Sequence, residues 1–215
     1  MKTFLSLLLL ALVALVGCSN GATISTTKGS DQDRVLLFGN ELRGAVISPP
    51  REVEDFTLAS TRGEDFTLSD HRGNIILVYF GYMTCPDVCP ATMADLLRAY
   101  RELDENTAEN VVVVFITVDP ERDTLDRMDL YTAAFHEDFV GLRGEGEQLE
   151  HVMQNFGVQA SRREVDSALG YLVDHSASVF VIGSQGKIIE QFLFGTPYQD
   201  IAEDIKLLAT HTSLN

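Results

Sequence analysis

The sequence predicts an α/β domain in which a central mixed sheet is flanked by helices, with an added β-hairpin at its N-terminal side. Two nearly continuous apolar runs, residues 74–82 and 111–118, are typical of strands buried on both faces of a sheet. Segments with helical periodicity follow these runs, which is the alternation that builds such sheets. Pairs of short stretches joined across glycine indicate hairpins.

The first predicted element is a hairpin formed by residues 54–58 and 64–68. Both stretches alternate apolar and polar residues, and Arg62-Gly63 between them supplies the turn. Residues 74–82 then form the first buried strand. Residues 91–103 carry apolar side chains at helical spacing, so a helix follows that strand directly.

A second buried strand is predicted at residues 111–118, which are strongly β-branched, and Asp119-Pro120 ends it. A helix over residues 124–135 follows, with Asp123 or Thr124 as its N-cap. The next predicted elements are a short strand at residues 140–142, a helix at 145–156 and an exposed irregular insertion at 158–170. They are followed by a short extended stretch at 171–173, a hairpin of 178–182 with 187–194, and a closing helix at 198–210.

Composition narrows the class of protein. The chain has 215 residues, of which 45% are hydrophobic, and this is enough for one well-buried domain. Its formal net charge is −16, and a surface of this sign repels phosphate backbones. We therefore expect no nucleic-acid partner.

The N-terminus has the features of a secretory signal. One lysine precedes an apolar run from Phe4 to Val16, which is shorter than the roughly 20 apolar residues that span a bilayer. Leu15-Val16-Gly17-Cys18 resembles the bacterial lipobox, in which cleavage before the cysteine is coupled to its lipidation. Ordinary secretion is the alternative.

The lipobox interpretation sets the predicted domain organisation. Residues 1–17 are the signal peptide, and residues 18–48 carry the lipidated Cys18 and a tether rich in small polar residues. Residues 49–215 form the folded domain. We expect the mature protein outside the cytoplasm, held to the cell membrane by its lipid anchor.

Cys85 and Cys89 follow the first buried strand and open a helix. A helix N-terminus favours the thiolate over the thiol, and thiolate is both the nucleophilic and the metal-binding form of cysteine. Three residues separate the pair, and this spacing suits convergence of both sulfurs on one ion. A stabilising disulfide is the alternative, although it would close a very short loop.

His175 is the candidate third ligand, directly before a predicted strand. Two thiolates and one imidazole form a soft donor set that suits Cu(I) and that accepts Cu(II) with an added oxygen ligand. Zinc also fits, but structural zinc usually has four protein ligands. A structural or solvated histidine is the simpler alternative.

Two acidic residues complete the candidate site. Asp87 lies between the cysteines and offers a carboxylate oxygen to Cu(II). Asp119 lies at the end of the second buried strand, on the same sheet edge as the cysteines, where it would act electrostatically. A turn and a helix cap are the alternative role for residues 119–124.

Three motifs resemble those of the Sco/SenC family. They are Phe80-Gly81-Tyr82 leading to Cys85-Pro86-Asp87-Val88-Cys89-Pro90, then Val118-Asp119-Pro120-Glu121-Arg122-Asp123-Thr124, and finally Asp174-His175-Ser176. They occur in the order found in the family, and the similarity covers roughly residues 50–210. Met83-Thr84 is a departure, because family members often have Thr-His at this point.

The resemblance implies a thioredoxin-like fold and copper binding by Cys85, Cys89 and His175. It also implies a role in assembling the dinuclear copper site of cytochrome c oxidase, so the expected partner is the copper-bearing oxidase subunit or another copper protein. The first hypothesis is a copper metallochaperone, which requires His175. The second is a thiol–disulfide oxidoreductase that reduces the copper-ligand cysteines of a partner, with Cys85 as nucleophile. Whether the protein is an enzyme depends on which hypothesis holds.

Overall fold

A computed structural model describes residues 41–210 of the chain. The predicted signal peptide, Cys18 and the tether up to residue 40 lie outside the described residues. No helix within residues 41–210 is both long enough and apolar enough to cross a membrane.

The core of the protein is one eight-stranded sheet with the strand order β1-β10-β9-β4-β5-β6-β2-β3. A separate two-stranded ribbon pairs β7 with β8. The ten strands are β1 (Ala45–Glu52), β2 (Thr57–Ser60), β3 (Phe66–Thr67), β4 (Ile75–Gly81), β5 (Val111–Thr117), β6 (Val140–Arg143), β7 (Ala160–Glu164), β8 (Tyr171–His175), β9 (Val179–Ile182) and β10 (Lys187–Phe192).

Within residues 41–210, five helices join and cover these strands. They are α1 (Val88–Arg101), α2 (Glu105–Ala108), α3 (Leu125–Phe135), α4 (Gly146–Phe156) and α5 (Tyr198–Ala209), and a 3-10 turn spans Leu68–His71. Helix α1 connects β4 to β5, and α3 connects β5 to β6. Thr124, one of the two residues predicted for this role, stands at the N-cap position of α3.

The centre of the sheet is parallel and its flanks are antiparallel, which confirms the predicted mixed sheet. Strands β4, β5 and β6 run in the same direction, with Ile75 opposite Val111 and Gly81 opposite Thr117. Strand β9 pairs antiparallel with β4, and β10 with β9. All seven residues of β4 are buried, as expected for a strand covered on both faces.

Both predicted hairpins are present. Strands β2 and β3 pair with Thr57 opposite Thr67 and Leu58 opposite Phe66. The second hairpin joins β9 to β10. The alternating pattern therefore located the short N-terminal hairpin even though β3 has only two residues.

Two predictions about irregular structure were wrong. The predicted boundary between tether and domain, at residues 48 and 49, falls inside β1. Strand β1 is an edge strand whose pairing with β10 is interrupted between Val46 and Arg51, and the prolines in that interval cannot donate to a ladder. Ser48-Pro49-Pro50 has the composition of a linker between domains, so the sequence did not predict the strand that contains it.

The predicted irregular insertion at residues 158–170 contains β7, which pairs with β8 from Ala160 opposite His175 to Glu164 opposite Tyr171. Four of the five β7 residues are exposed. A strand with no buried face shows no apolar alternation, so the period that identifies strands was missing.

Candidate metal centre

The cysteine-bearing turn lies at the carboxyl end of the central strand β4. Strand β4 ends at Gly81, and α1 begins at Val88, so Cys85 lies in the connecting turn and Cys89 in the first turn of the helix. The backbone N–H of Cys89 donates to Sγ of Cys85 over 3.4 Å. Both thiols are free, with Cys89 buried and Cys85 partly exposed.

His175 reaches this turn from the two-stranded ribbon, where it is the last residue of β8. Its Nε2 lies 3.4 Å from Sγ of Cys89. Its Nδ1 lies 2.9 Å from the carbonyl oxygen of Ser176, which can only accept a hydrogen bond. Nδ1 therefore carries the proton, and the lone pair of Nε2 faces the sulfur, which is the tautomer of a metal-binding imidazole.

The two thiols differ in acidity. Burial tends to raise the pKa of the Cys85 thiol, but hydrogen bonds from the backbone N–H groups of Asp87 and Cys89 and from the side chains of Cys89 and Tyr82 outweigh it, so the pKa is lowered. Burial raises the pKa of Cys89 to about 12. Cys85 is thus the more acidic and more accessible sulfur.

The imidazole is kept neutral. Burial lowers the pKa of His175, and the hydrogen bond to Ser176 opposes this only in part. The rings of Tyr79 and Tyr82 meet it edge-on, with centroid distances of 6.3 and 5.8 Å. A neutral, desolvated imidazole can donate its lone pair at neutral pH without first losing a proton.

The donor set fits a soft metal ion but is not closed around one. Within the described part of the chain, no three His, Cys, Asp or Glu side chains form a ready-made metal cluster. Cys89 and His175 are already adjacent, and Cys85 and His175 line one cleft of about 260 Å3 together with Asp87. Cys85 is in turn close to Cys89, because the backbone N–H and the side chain of Cys89 both hydrogen-bond to its sulfur.

The two predicted acidic residues have different positions. Asp87 is exposed at the N-cap position of α1 and lines the cleft beside Cys85. Asp119 is buried, and its carboxylate is bound by Arg122 and by the hydroxyl of Tyr171. These two contacts engage both oxygens of the Asp119 carboxylate. Its electrostatic effect on the cysteines stays a prediction.

Two residues that support the turn were missed by sequence reasoning. Buried Asp123 accepts hydrogen bonds from the backbone N–H of Met83, over 3.1 Å, and from the hydroxyl of Thr117, over 2.7 Å. Gly81 packs so closely that a Cβ atom there would lie 3.2 Å from Sγ of Cys89. The available signals were the acidic residue after a buried strand and the glycine just before the cysteine turn.

Comparison with known proteins gives consistent matches. A family model described as SCO1/SenC matches residues 45–210. Protein SCO2 homolog, mitochondrial, from Mus musculus is 32% identical over 209 residues, which cover 95% of this chain and 80% of that protein.

Solved structures share the fold. The structure of Arabidopsis thaliana ScoI with copper bound has a TM-score of 0.67 and 28% identity, covering 74% of this chain and 98% of that one. BsSco, studied for a disulfide switch and described as a member of the Sco family of cytochrome c oxidase assembly proteins, has a TM-score of 0.58 and 25% identity, covering 78% and 96%. The predicted thioredoxin-like α/β fold is confirmed by these neighbours.

Proposed function

Because this chain belongs to the SCO1/SenC family, we propose that it is a copper metallochaperone that helps to assemble the dinuclear copper site of cytochrome c oxidase. Cys85, Cys89 and His175 would hold one copper ion as cargo. The observation that carries the proposal is the 3.4 Å approach of Nε2 of His175 to Sγ of Cys89, beside a second free thiol. The copper-bound ScoI structure and the description of BsSco support the choice of metal and of pathway.

The donor chemistry favours copper over harder ions. Thiolate and imidazole are the ligands that Cu(I) prefers, and a three-ligand site leaves a position through which an acceptor can attack. Asp87 lies at the cleft and would supply an oxygen ligand when the cargo is Cu(II). Exchange between proteins requires such an accessible position.

The difference in acidity between the thiols orders the steps of loading. Cys85 is accessible and has the lowered pKa, so it meets the incoming ion first. Cys89 keeps its proton in the free protein because burial raises its pKa to about 12, so binding must release that proton. When copper is released to an acceptor, the order is reversed, and Cys85 is the last ligand to leave the ion.

A second function is favoured by the same difference between the thiols. An accessible thiol of lowered pKa beside a buried thiol of raised pKa is the arrangement of an attacking and a resolving cysteine. In this reaction Cys85 attacks a partner disulfide, and Cys89 then displaces the partner. The two thiols here are oxidised to one disulfide, and the partner disulfide is reduced to two thiols.

The two activities exclude each other at any moment. A disulfide between Cys85 and Cys89 removes both thiolate ligands, so oxidation would block copper loading. Copper binding by the oxidised protein at the same site, as tight as by the reduced protein, would contradict this coupling.

We place the protein outside the cytoplasm on a lipid anchor at Cys18, with residues 1–17 removed as a signal peptide. The lipobox-like sequence Leu15-Val16-Gly17-Cys18 supports this placement. The test is incorporation of a labelled fatty acid in a bacterial host. Labelling should be lost in Cys18→Ala, and labelling retained in that variant would refute the anchor.

The experiment that tests the carrier function is an anaerobic Cu(I) titration of the reduced protein against a competing chelator. The wild type should bind one copper ion. His175→Ala should lose more affinity than the roughly 10- to 100-fold typical of residues that merely support ligands.

His151→Ala is the matched control, because His151 is an exposed histidine paired with Glu54. It should titrate like the wild type. Unchanged copper affinity in His175→Ala would refute the ligand assignment and favour the thiol–disulfide function.

A further inference from the structure

The strand that carries His175 is not part of the main sheet. Strand β8 pairs only with β7 in a separate ribbon, whereas the cysteines lie at the end of β4 in the centre of the eight-stranded sheet. The distance between the imidazole and the sulfurs therefore depends on the short link of residues 176–178 to β9 and on the side-chain contacts between the ribbon and the sheet. Backbone pairing within the ribbon does not set this distance.

Tyr171, the first residue of β8, attaches the far end of the ribbon strand to the loop after β5. Its hydroxyl donates to Oδ1 of Asp119 over 2.8 Å. The guanidinium carbon of Arg122 lies 3.6 Å from the centre of its ring, and that of Arg162 lies 4.6 Å away. Cation–π contacts at such distances are attractive, and Arg162 is itself paired with Glu121 over 2.6 Å.

Arg122 holds the backbone as well as the ring. Its Nη1 donates to the carbonyl oxygens of Tyr171, over 3.0 Å, and Leu169, over 3.1 Å. Its Nε is bound to the buried carboxylate of Asp119. One guanidinium group thus joins the loop after β5 to the start of β8. We call Asp119, Arg122 and Tyr171 the clasp.

The clasp is also connected to the site from the cysteine side. The guanidinium carbon of Arg122 lies 5.7 Å from the ring centre of Tyr82, which lies in the cysteine turn. The ring of Tyr82 in turn meets His175 edge-on at 5.8 Å. The clasp therefore contacts both the base of the strand that carries His175 and a ring that packs against the imidazole.

Resting on the copper-carrier function proposed above, we propose that Asp119, Arg122 and Tyr171 are positioning residues for copper. They fix the β7–β8 ribbon so that Nε2 of His175 faces Cys89. The clasp makes this contribution through His175 and touches neither the cargo nor the sulfurs. An ion pair that only stabilised the fold would have no such dependence on the histidine.

A double-mutant cycle on the purified full chain separates these cases. Cu(I) affinity is measured by chelator competition in the wild type, Arg122→Gln, His175→Ala and the double variant. Arg122→Gln should weaken binding by about tenfold or more in the wild-type background, as supporting residues of metal sites do. In the His175→Ala background the same substitution should have no further effect.

Spectroscopy gives a second readout that a loss of stability alone does not move. In the folded Arg122→Gln protein, the thiolate-to-Cu(II) absorption band should shift toward that of His175→Ala. Tyr171→Phe removes only the hydroxyl bond to Asp119 and should produce a smaller change in the same direction. It gives the same test if Arg122→Gln fails to fold.

Arg163→Gln is the control, because it breaks an exposed 3.1 Å ion pair with Asp174 in the same ribbon and leaves the clasp intact. It should match the wild type in both readouts. Equal losses from Arg122→Gln with and without His175, or no loss at all, would overturn the positioning role while the carrier function stands. An unchanged affinity in His175→Ala alone would instead refute the ligand set.

Discussion

Gly81 is the residue at which a single methyl group should disturb both the fold and the metal centre. A Cβ atom there would lie 2.8 Å from Cε2 of Phe115, 3.0 Å from Cε1 of Tyr79 and 3.2 Å from Sγ of Cys89. Both aromatic rings are buried, so neither can move into solvent. The methyl group of Gly81→Ala must therefore displace the rings or the sulfur.

The magnitude follows from two opposing effects. Overpacking of a dense core costs about 1–3 kcal/mol. Replacing glycine restricts the unfolded chain and returns about 0.4–1 kcal/mol. With the middle of each range, Gly81→Ala should lower the free energy of unfolding by about 1.3 kcal/mol. Copper affinity should also fall, because Sγ of Cys89 is one of the atoms that the methyl group displaces.

Gly141→Ala is the matched control. Its Cβ would lie 2.8 Å from Cγ2 of Thr61 and 3.3 Å from Met128, so it overpacks β6 by a similar amount with no cysteine in contact. Denaturant unfolding should show a comparable loss of stability in both variants, while chelator competition should show weaker copper binding only in Gly81→Ala. Wild-type stability and copper affinity in Gly81→Ala would refute the packing argument.

Three further predictions follow from buried groups. Burial, reinforced by the neighbouring carboxylate of Asp204, raises the pKa of Glu190 from its ordinary 4.5 to about 9. The contribution of Glu190 to stability is therefore present below pH 4.5 and is lost as the pH rises toward 9. In urea unfolding, Glu190→Gln should remove this loss of stability, and an unchanged pH profile would contradict the raised pKa. Because Cys89 must release a proton, the apparent Cu(I) affinity should rise by about tenfold per pH unit between pH 6 and 8 for each proton released, and a flat profile would show that the thiol is not a ligand. Asp123→Asn weakens the hydrogen bond that the backbone N–H of Met83 donates to Asp123, and should lower the free energy of unfolding by about 1–3 kcal/mol. Full wild-type stability in denaturant unfolding would contradict the role of Asp123 in holding the cysteine turn.

The sequence predicted the centre of this protein well because the signals there are local. The apolar runs that become β4 and β5 are continuous, and the cysteine spacing directly follows the first of them. Since a strand, a turn and a helix in succession leave few arrangements, the place of Cys85 and Cys89 at the sheet edge followed from neighbouring residues alone.

The approach of His175 to the cysteines was not predictable in the same way. It depends on a ribbon whose outer strand, β7, has no buried face and so no period that marks a strand. The contacts of Arg122 with Tyr171 join residues 49 positions apart. His175 was a candidate ligand from its place before a strand and from the motif resemblance, but no local pattern indicated which residues hold it near the cysteines.

The start of the domain was missed for a related reason. Strand β1 contains two prolines, and the residues before it are held by side chains from the other end of the chain. The backbone N–H of Gly44 donates to Glu190 and to Asp204, each over 3.0 Å. Glu190 and Asp204 are buried in β10 and α5, and the sequence around them gives no sign that they bind the backbone at Gly44.

X-ray absorption spectroscopy at the copper edge of the Cu(I)-loaded protein tests the central claim most directly. The account predicts two sulfur scatterers and one imidazole nitrogen in the wild type, with the imidazole signal lost in His175→Ala and kept in His151→Ala. A copper ion bound without an imidazole in the wild type, or by fewer than two sulfurs, would contradict the assignment of Cys85, Cys89 and His175 as the copper ligands.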